Sequence, residues 1–248
     1  MRDSMARHHS TYTTLNRLVG KALHQYDMIE NGDRILVGLS GGKDSLTLMW
    51  TLNERLSRIP IQYELMAVYI DPGFDKSFCD RLEDYCRAQR YSYRIELTDG
   101  GVLGHSPENK ENPCFLCSRL RRKRLFEIAE EWGCRKIALG HNKDDIIETF
   151  FLNIFYAGEI GTMMPSQSFF KGKLRIIRPL ALVEEDIIKQ FAKKEGLPDF
   201  INPCPSVGKT KRQEIKDMLK MLYSSNKKIK GNIFRAMNHV NIDYLPKC

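Results

Sequence analysis

The period of the hydrophobic positions changes near residue 40. Residues 35–39 form a short apolar run typical of a buried strand, which stops at a glycine-rich turn that begins with Ser40. Beyond Ser45, apolar residues recur at helical spacing as far as Leu52. The pattern therefore predicts a strand that passes through a tight turn directly into a helix.

The same alternation of apolar strands and amphipathic helices continues along most of the chain. Further strands are predicted at residues 65–70, 93–97, 136–140 and 174–180, and residues 99–113 are predicted to form a loop. Helices are predicted at residues 11–28, 76–89, 118–132, 144–156, 184–195, 209–223 and 233–239. Strands that alternate with helices pair in parallel through right-handed crossovers, so the predicted fold is an α/β doubly wound parallel sheet.

The sequence predicts that the chain is divided into three segments. Residues 1–30 are predicted to form an N-terminal helical arm, which either packs on the core or acts as a basic arm. Residues 31–183 supply the sheet, and residues 184–248 form a basic helical extension outside it. In a doubly wound sheet the ligand binds beyond the carboxyl ends of the strands, which is where the turn after residue 39 lies.

The composition narrows the class of protein. The 39 Lys and Arg residues exceed the 31 Asp and Glu residues, and the formal net charge of +8 favours a polyanionic partner. No apolar run reaches about 18 residues and no apolar signal core begins the chain, so we expect a cytoplasmic protein without a membrane span. Seven cysteines, an odd number, favour metal or redox chemistry over a disulfide scaffold.

The turn after residue 39 has the features of an anion site. It contains, in order, Ser40, Gly41, Gly42, Lys43, Asp44 and Ser45. The glycines let backbone amides approach a ligand, and the helix start, the serine hydroxyls and the lysine ammonium favour an anion. The turn differs from the G-x-x-x-x-G-K-S/T loop, because Val37 replaces the first glycine and an aspartate follows the lysine. The alternative is a tight turn with capping serines.

Ser-Gly-Gly-Lys-Asp-Ser after a first strand resembles the pyrophosphate-binding loop of the N-type ATP pyrophosphatases. The resemblance implies that residues 31–183 form an adenine nucleotide α-hydrolase-like, Rossmann-like domain that splits ATP between the α and β phosphates. Such enzymes attach AMP to an acceptor oxygen and then replace that oxygen with nitrogen or sulfur. Ile70, at the end of the second predicted strand, is then the expected neighbour of the adenine.

Cys114 and Cys117 open a predicted helix in which five of the six residues at 119–124 are basic. Two cysteines at this spacing can bind one metal centre, and the helix start and nearby cations favour thiolates. The alternatives are two small residues before a solvated basic helix, or a thioredoxin-like dithiol. Arg121 follows Cys117 by four residues, so both project from one helical face and the guanidinium could reach bound phosphates.

Cys204 lies between Pro203 and Pro205, which fix the backbone and suit a rigid ligand loop. As a lone cysteine it would be inert. Structural zinc prefers four protein ligands, whereas three thiolates fit a [4Fe-4S] cluster with one iron left open for a sulfide or a substrate. The other cysteines follow no pattern and are predicted to be bystanders: Cys79, Cys86, Cys134 and Cys248.

A second strand-to-helix junction carries Gly140, His141, Asp144 and Asp145. Its two carboxylates either cap the helix or, in a nucleotide site, hold Mg²⁺, which prefers carboxylate and phosphate oxygens. The junction is therefore a candidate part of the same ligand site.

Together, the loop at 40–45, the Cys-x-x-Cys-Ser-Arg-Leu-Arg-Arg segment at 114–122, the junction at 138–145 and Cys204 resemble the tRNA 2-thiocytidine synthetase family. The resemblance extends from about residue 16 to about residue 238. It implies ATP-dependent thiolation of a cytidine in the tRNA anticodon loop, Mg²⁺, a [4Fe-4S] cluster on Cys114, Cys117 and Cys204, and a homodimer. Val207 stands where the family's third segment has a second cysteine.

The resemblance also implies roles for single residues. The loop at 40–45 and Arg121 or Arg122 would bind phosphates, and Asp144 or Asp145 would organise Mg²⁺, so that Asp44, Arg121 and Asp144 are the predicted catalytic residues. The nucleobase oxygen would attack the α-phosphate, and sulfur from a donor such as a cysteine desulfurase would displace AMP. Two alternatives stay open: a related enzyme that thiolates uridine or a small molecule, and a non-catalytic, metal-containing nucleic-acid-binding module.

Overall fold

Nine α-helices and six strands make up the part of the chain that the computed structural model describes. That part comprises residues 2–200, 203–206, 208 and 210–245, with only the helical backbone described for residues 2–9. The strands are β1 (Asp33–Leu39), β2 (Tyr63–Asp71), β3 (Tyr93–Leu97), β4 (Lys136–Leu139), β5 (Ser166–Phe169) and β6 (Leu174–Ile177). The helices are α1 (Arg2–Gln25), α2 (Lys43–Arg55), α3 (Lys76–Ala88), α4 (Gly100–Gly104), α5 (Pro113–Glu131), α6 (Lys143–Leu152), α7 (Glu185–Glu195), α8 (Lys211–Ser225) and α9 (Ile229–Ala236).

The strands form one sheet in the order β3-β2-β1-β4-β6-β5. Every neighbouring pair is parallel except β5 and β6, which pair antiparallel. The predicted doubly wound parallel sheet is thus confirmed. Residues 166–169 are not among the predicted strands, because this polar sequence forms an edge strand that needs no apolar run.

β1 lies inside the sheet and is buried on both faces. Ile35 and Val37 pack in the same core as α1, α2, α3 and α7, whereas Leu36 packs with α5 on the other face. A strand covered by helices on both sides reads as a continuous apolar run, which is what residues 35–39 show. The turn after β1 is therefore anchored by a rigid strand.

The first helix packs on the core instead of extending as an arm. The side chains of Leu15, Val19 and Ala22 are fully buried, and α1 contacts α7. Trp50 of α2 joins these helices, because its ring lies 4.9 Å from that of Phe191 and 6.0 Å from that of Tyr12. Of the two roles considered for α1, the structure therefore favours packing.

The backbone contacts divide the chain into two units. The first unit comprises Met1–Asn142 and Met164–Val207 and contains the whole sheet; the second comprises Lys143–Met163 and Gly208–Cys248. Ile147, Ile215 and Leu219 form a separate core in the second unit. This division differs from the predicted boundaries after residues 30 and 183, because α1 and α7 share the core of the sheet while α6 packs with α8. No helix in the described part of the chain combines the length and the apolar character needed to cross a membrane.

Candidate active site

The loop at residues 40–45 is held in shape by its own serine side chains. The Ser45 hydroxyl accepts a hydrogen bond from the Ser40 backbone N–H at 3.1 Å and donates one to the Gly42 carbonyl at 2.9 Å. The two serine oxygens lie 3.2 Å apart, and the Gly42 N–H donates to Ser40 Oγ at 3.3 Å. The hydroxyls predicted to bind an anion are thus engaged within the loop, so that a ligand meets a preformed turn and loses less free energy in ordering it.

Each of the two glycines in this loop occupies its position for a different structural reason. Gly41 has φ +74°, and a Cβ there would come within 2.5 Å of the Phe78 ring, so no other residue fits. Gly42 is extended and precedes α2 without a side-chain cap, which leaves the first amides of the helix to a ligand. Lys43 stands at the same helix start, with its Nζ 2.6 Å from Asp199 Oδ2. A helix start with uncapped amides and a lysine is suited to a phosphate group.

The end of β4 meets this loop. The Asn142 side-chain amide donates to Asp44 Oδ1 at 2.9 Å. A Cβ on Gly140 would lie 3.0 Å from the Asp44 carbonyl carbon and the Ser45 nitrogen, so only a glycine allows this approach. His141 follows, half-buried, and Ile70 is buried at the end of β2 on the other side of β1. The structure therefore brings together the loop and the first part of the predicted junction.

Cys114 and Cys117 lie in the first turns of α5, as the sequence predicts. Asn112 caps the helix, since its Oδ1 accepts from the backbone N–H groups of Cys114 at 3.0 Å and Phe115 at 3.3 Å. Cys114 is exposed and Cys117 is half-buried. Burial raises the pKa of the Cys117 thiol, Arg121 acts in the opposite direction, and Cys204 and Cys114 add to the rise. Both other sulfurs, those of Cys114 and Cys204, are thus near enough to Cys117 to act on its thiol electrostatically.

A histidine fixes the segment that carries Cys204. His105 Nε2 lies 2.8 Å from the Ser206 hydroxyl, and His105 Nδ1 lies 2.9 Å from the Gly101 carbonyl. Because that carbonyl can only accept, Nδ1 donates and Nε2 accepts from the serine. His105 ends α4, a helix within residues predicted to be a loop, and the third cysteine is thereby held next to α5. Val207 lies outside the described residues.

The three cysteines of this site are candidate ligands for an iron–sulfur cluster. Within the described ranges, no three His, Cys, Asp or Glu side chains are arranged to hold one metal ion. In an iron–sulfur cluster each thiolate binds a different iron, so its ligands stand further apart than those of one ion. Three thiols, one exposed and two half-buried, fit that donor set, and the other two act on the thiol of Cys117. Cys79, Cys86 and Cys134 are buried, and Cys248 lies outside the described residues.

The positive charge of Arg121 affects both the cysteine site and the end of a strand. Its charge acts on Cys117, and it also opposes the rise in the pKa of Tyr69 that burial causes. Tyr69 is the register partner of Leu39, the last residue before the loop at 40–45. The positive charge of Arg121 thus acts on one residue of α5 and on one residue of β2, and neither Arg121 nor Arg122 forms an ion pair with any described residue.

The sequence interpretation missed Arg178, which follows β6 at the same edge of the sheet. Its side chain is 6% exposed, it pairs with no described carboxylate, and its Nε has no hydrogen-bond partner. One guanidinium nitrogen donates to the Met164 carbonyl at 2.5 Å. Burial, and then the positive charge of Arg122, lower the pKa of Arg178 to about 10. An apolar strand followed by an Arg-Pro pair is the only signal in the sequence, and it does not reveal the burial.

Asp144 and Asp145 open α6 in the second unit, where both meet cations. Asp144 Oδ1 lies 2.7 Å from Lys230 Nζ, and Asp145 Oδ1 lies 3.4 Å from an Arg212 nitrogen. The negative charges of both carboxylates are therefore balanced by cations of the same unit. Lys209, the predicted start of α8, lies outside the described residues.

Comparison with known proteins agrees with this geometry. Residues 11–220 match the family described as PP-loop domain, which supports ATP binding by the loop at 40–45. The chain is 35% identical over 239 residues to a tRNA-cytidine(32) 2-sulfurtransferase of Citrifermentans bemidjiense, covering 95% of this chain and 94% of the relative. It is 43% identical to the protein of the same name from Alkalilimnicola ehrlichii, covering 93% of this chain and 74% of the relative.

Two solved structures are also similar to this chain. The U34-tRNA thiolase NcsA from Methanococcus maripaludis, solved with its [4Fe-4S] cluster, superposes with a TM-score of 0.79 at 26% identity. The match covers 96% of this chain and 82% of that one. An NH3-dependent NAD synthetase from Campylobacter jejuni, 15% identical with a TM-score of 0.53 over 96% of this chain and 98% of that one, shares the fold alone.

Proposed function

This chain belongs to the PP-loop family of the tRNA-cytidine(32) 2-sulfurtransferases, and from that premise we propose that it is an ATP-dependent tRNA thiolase. Its substrate is a cytidine of the tRNA anticodon loop. The relatives named for cytidine favour this base over uridine, and the preformed nucleotide loop argues against a non-catalytic binding module. The observation that carries the proposal is the loop at 40–45, a preformed turn that leaves the first backbone amides of α2 to a phosphate group.

The first step is adenylation of the base. The amides at the start of α2 and Lys43 bind phosphate oxygens of ATP, and Asp44 is held at the loop by Asn142. The 2-carbonyl oxygen of the cytidine attacks the α-phosphate, pyrophosphate leaves, and the oxygen carries AMP. Arg121 and Arg178 place positive charge at the edge of the sheet where negative charge grows on the transferred phosphate.

The second step replaces oxygen with sulfur. Cys114, Cys117 and Cys204 would hold a [4Fe-4S] cluster, which supplies a place to hold sulfur when it is bound. His105 keeps the Cys204 segment against α5 through Ser206. AMP leaves with the former carbonyl oxygen, so the product is a thiocarbonyl. The sulfur comes from a donor such as a cysteine desulfurase, and a thiol reductant supplies the two electrons that bring its persulfide sulfur to the sulfide level. We expect the enzyme to act as a cytoplasmic homodimer.

We assign Mg²⁺ to Asp144 and Asp145 because carboxylate and phosphate oxygens are its preferred ligands. Lys230 competes for Asp144, since its ammonium lies 2.7 Å from the carboxylate. A Lys230→Met variant should therefore need less Mg²⁺ for half-maximal activity. An unchanged Mg²⁺ requirement would remove Asp144 from the metal site.

The direct test uses protein purified without oxygen. We expect iron and sulfide in the wild type, and 2-thiocytidine in tRNA incubated with ATP and a sulfide source, measured by mass spectrometry of nucleosides. Asp44→Ala should stop pyrophosphate release, whereas Asp80→Ala, which removes an exposed carboxylate of α3, should not. Iron-free anaerobic protein, or full turnover by Asp44→Ala, would refute the proposal.

A further inference from the structure

A cavity of about 860 Å³ opens beside α5 in the first unit. Its walls come from α5, from the turn that follows α5, and from the β5–β6 hairpin. Of the predicted site residues only Arg122 lines it. The volume lies within the range of about 300–1,000 Å³ that is typical of ligand sites. The cavity therefore has room for a ligand that the three cysteines and the loop at 40–45 do not explain.

The walls of the cavity are basic. Five cationic side chains line it against two carboxylates. Two of the cations are paired with glutamates. The other three, Arg122, Arg135 and Lys173, form no ion pair with any described residue. This excess of positive charge suits an anionic ligand and disfavours an apolar peptide.

An aromatic ring stands exposed at the rim. Phe170, in the hairpin turn, is 59% exposed and has φ +51°, a conformation that is uncommon for a residue other than glycine. Its ring lies 5.5 Å from that of Phe126, edge to face, and 6.3 Å from that of Phe169. The neighbouring Lys171 also has a positive φ, so this backbone conformation belongs to the hairpin turn. The exposure of the ring costs folding free energy, and the two ring contacts recover only part of it. A cost of this kind points to a function for the ring.

We propose that this cavity holds an unstacked nucleotide of the RNA substrate, with its base on Phe170 and its phosphates at Arg122, Arg135 and Lys173. Aromatic rings beside a basic groove are the means by which proteins bind single-stranded RNA. The inference rests on the proposed tRNA substrate and adds a binding site to it. Consecutive residues of a helix point in different directions. Arg122 therefore binds this nucleotide, whereas Arg121 serves the site of Cys117.

The test measures affinity for a synthetic RNA hairpin that carries the anticodon stem and loop. Phe170→Ala should weaken binding about 5- to 100-fold, and Phe170→Tyr should keep most of the affinity, because a tyrosine ring also stacks. Phe170→Gly should lose as much affinity as Phe170→Ala while relieving the positive φ, so the loss does not come from misfolding. Lys173→Gln should lower the slope of log affinity against log salt by about 0.7.

Four readouts separate the possible results: ATP binding, RNA affinity, sedimentation and thiocytidine formation. ATP binding should be the same in all variants, and Phe155→Ala, which removes another exposed phenylalanine, should bind RNA like the wild type. Equal RNA affinity of Phe170→Ala and the wild type would overturn the inference. So would a Phe170→Ala protein that binds RNA normally but dissociates in sedimentation, since the cavity would then be an interface between protein copies. A wild type that binds the hairpin but forms no thiocytidine refutes the proposed function and leaves this site standing.

Discussion

Two arginines of α5, Arg121 in its first half and Arg124 in its second, serve different purposes. In the second half, Arg124 donates to Glu96 at 2.7 Å, to Glu127 at 3.1 Å and to Glu131 at 2.9 Å. In the first half, Arg121 forms no ion pair with any described residue and acts on Cys117 instead. The basic run at 119–124 looks uniform in the sequence. The structure divides it into cations that the protein neutralises and cations that it leaves for a ligand.

This difference is a criterion for separating binding residues from supporting ones. A guanidinium among three carboxylates adds little positive potential for a phosphate, because the local charge is already balanced. An unpaired one keeps its full attraction for a ligand that arrives with negative charge. Arg121, Arg122 and the buried Arg178 satisfy the second condition, and Arg124 satisfies the first. The predictions below test that separation.

The largest effect is expected from Arg121→Ala. Loss of one preorganised charge at the reacting phosphate should lower the rate of 2-thiocytidine formation about 100- to 1,000-fold. The melting temperature should stay near that of the wild type, because no ion pair is broken. Rates on iron-loaded protein and thermal melts measure the two quantities. A variant with normal turnover, or one that is destabilised as much as an Arg124 variant, would abolish the distinction between the two halves.

The next effect concerns Arg178→Met. Hydrogen bonds to charged groups are worth roughly 1.5–3 kcal/mol, so loss of this guanidinium should lower the rate about 10-fold or more. Stability should hold or rise, because methionine removes a buried charge that has no described carboxylate partner. A fall in melting temperature with full activity would instead identify Arg178 as a structural residue.

Arg124→Ala should do the reverse of Arg121→Ala. The side chains of Arg124 and Glu96 are 24% and 18% exposed, so their pairing is worth more than a typical surface ion pair. We expect a loss of about 1 kcal/mol, which is roughly 2–4 °C in melting temperature for a chain of this size. The rate per folded molecule should change little. A large loss of rate at temperatures where the variant is fully folded would contradict the supporting role.

The sequence predicts the parts of the site that short segments determine. The loop at 40–45 has a local signature, and the common face of Cys117 and Arg121 follows from helical periodicity alone. The ion pairs of Arg124 could not be predicted, since Glu96 lies 28 residues away on β3 and no local pattern pairs the two. The burial of Arg178 is likewise a consequence of packing, which a single segment does not determine.

Two structural elements escaped prediction because their sequences disfavour them. α4 spans Gly100–Gly104, and glycine has a low helix propensity. The Gly101 N–H donates to the Pro72 carbonyl at 2.9 Å, and a Cβ there would clash with Phe74, so tertiary contacts hold this turn. β5 is a polar edge strand that only its pairing with β6 defines. Both elements matter, because α4 carries His105 and β5 leads to Phe170.

The smallest effect is a pH dependence at Glu96. Burial alone would raise the pKa of this carboxyl, but hydrogen bonds from Arg124 and Arg94 outweigh burial and lower the pKa below its ordinary value of 4.5. The folded protein thus holds the charged form more firmly than the unfolded chain does, so the stabilisation is complete above that value and is lost as the pH falls through the lowered pKa. Glu96→Gln cannot titrate, so its melting temperature should lie below that of the wild type at neutral pH, and the gap should close in acid.

Glu64→Gln, a change at a carboxyl whose side chain is 70% exposed, is the control. A gap that stays constant below pH 4.5 would mean that the second half of α5 does not depend on this charge.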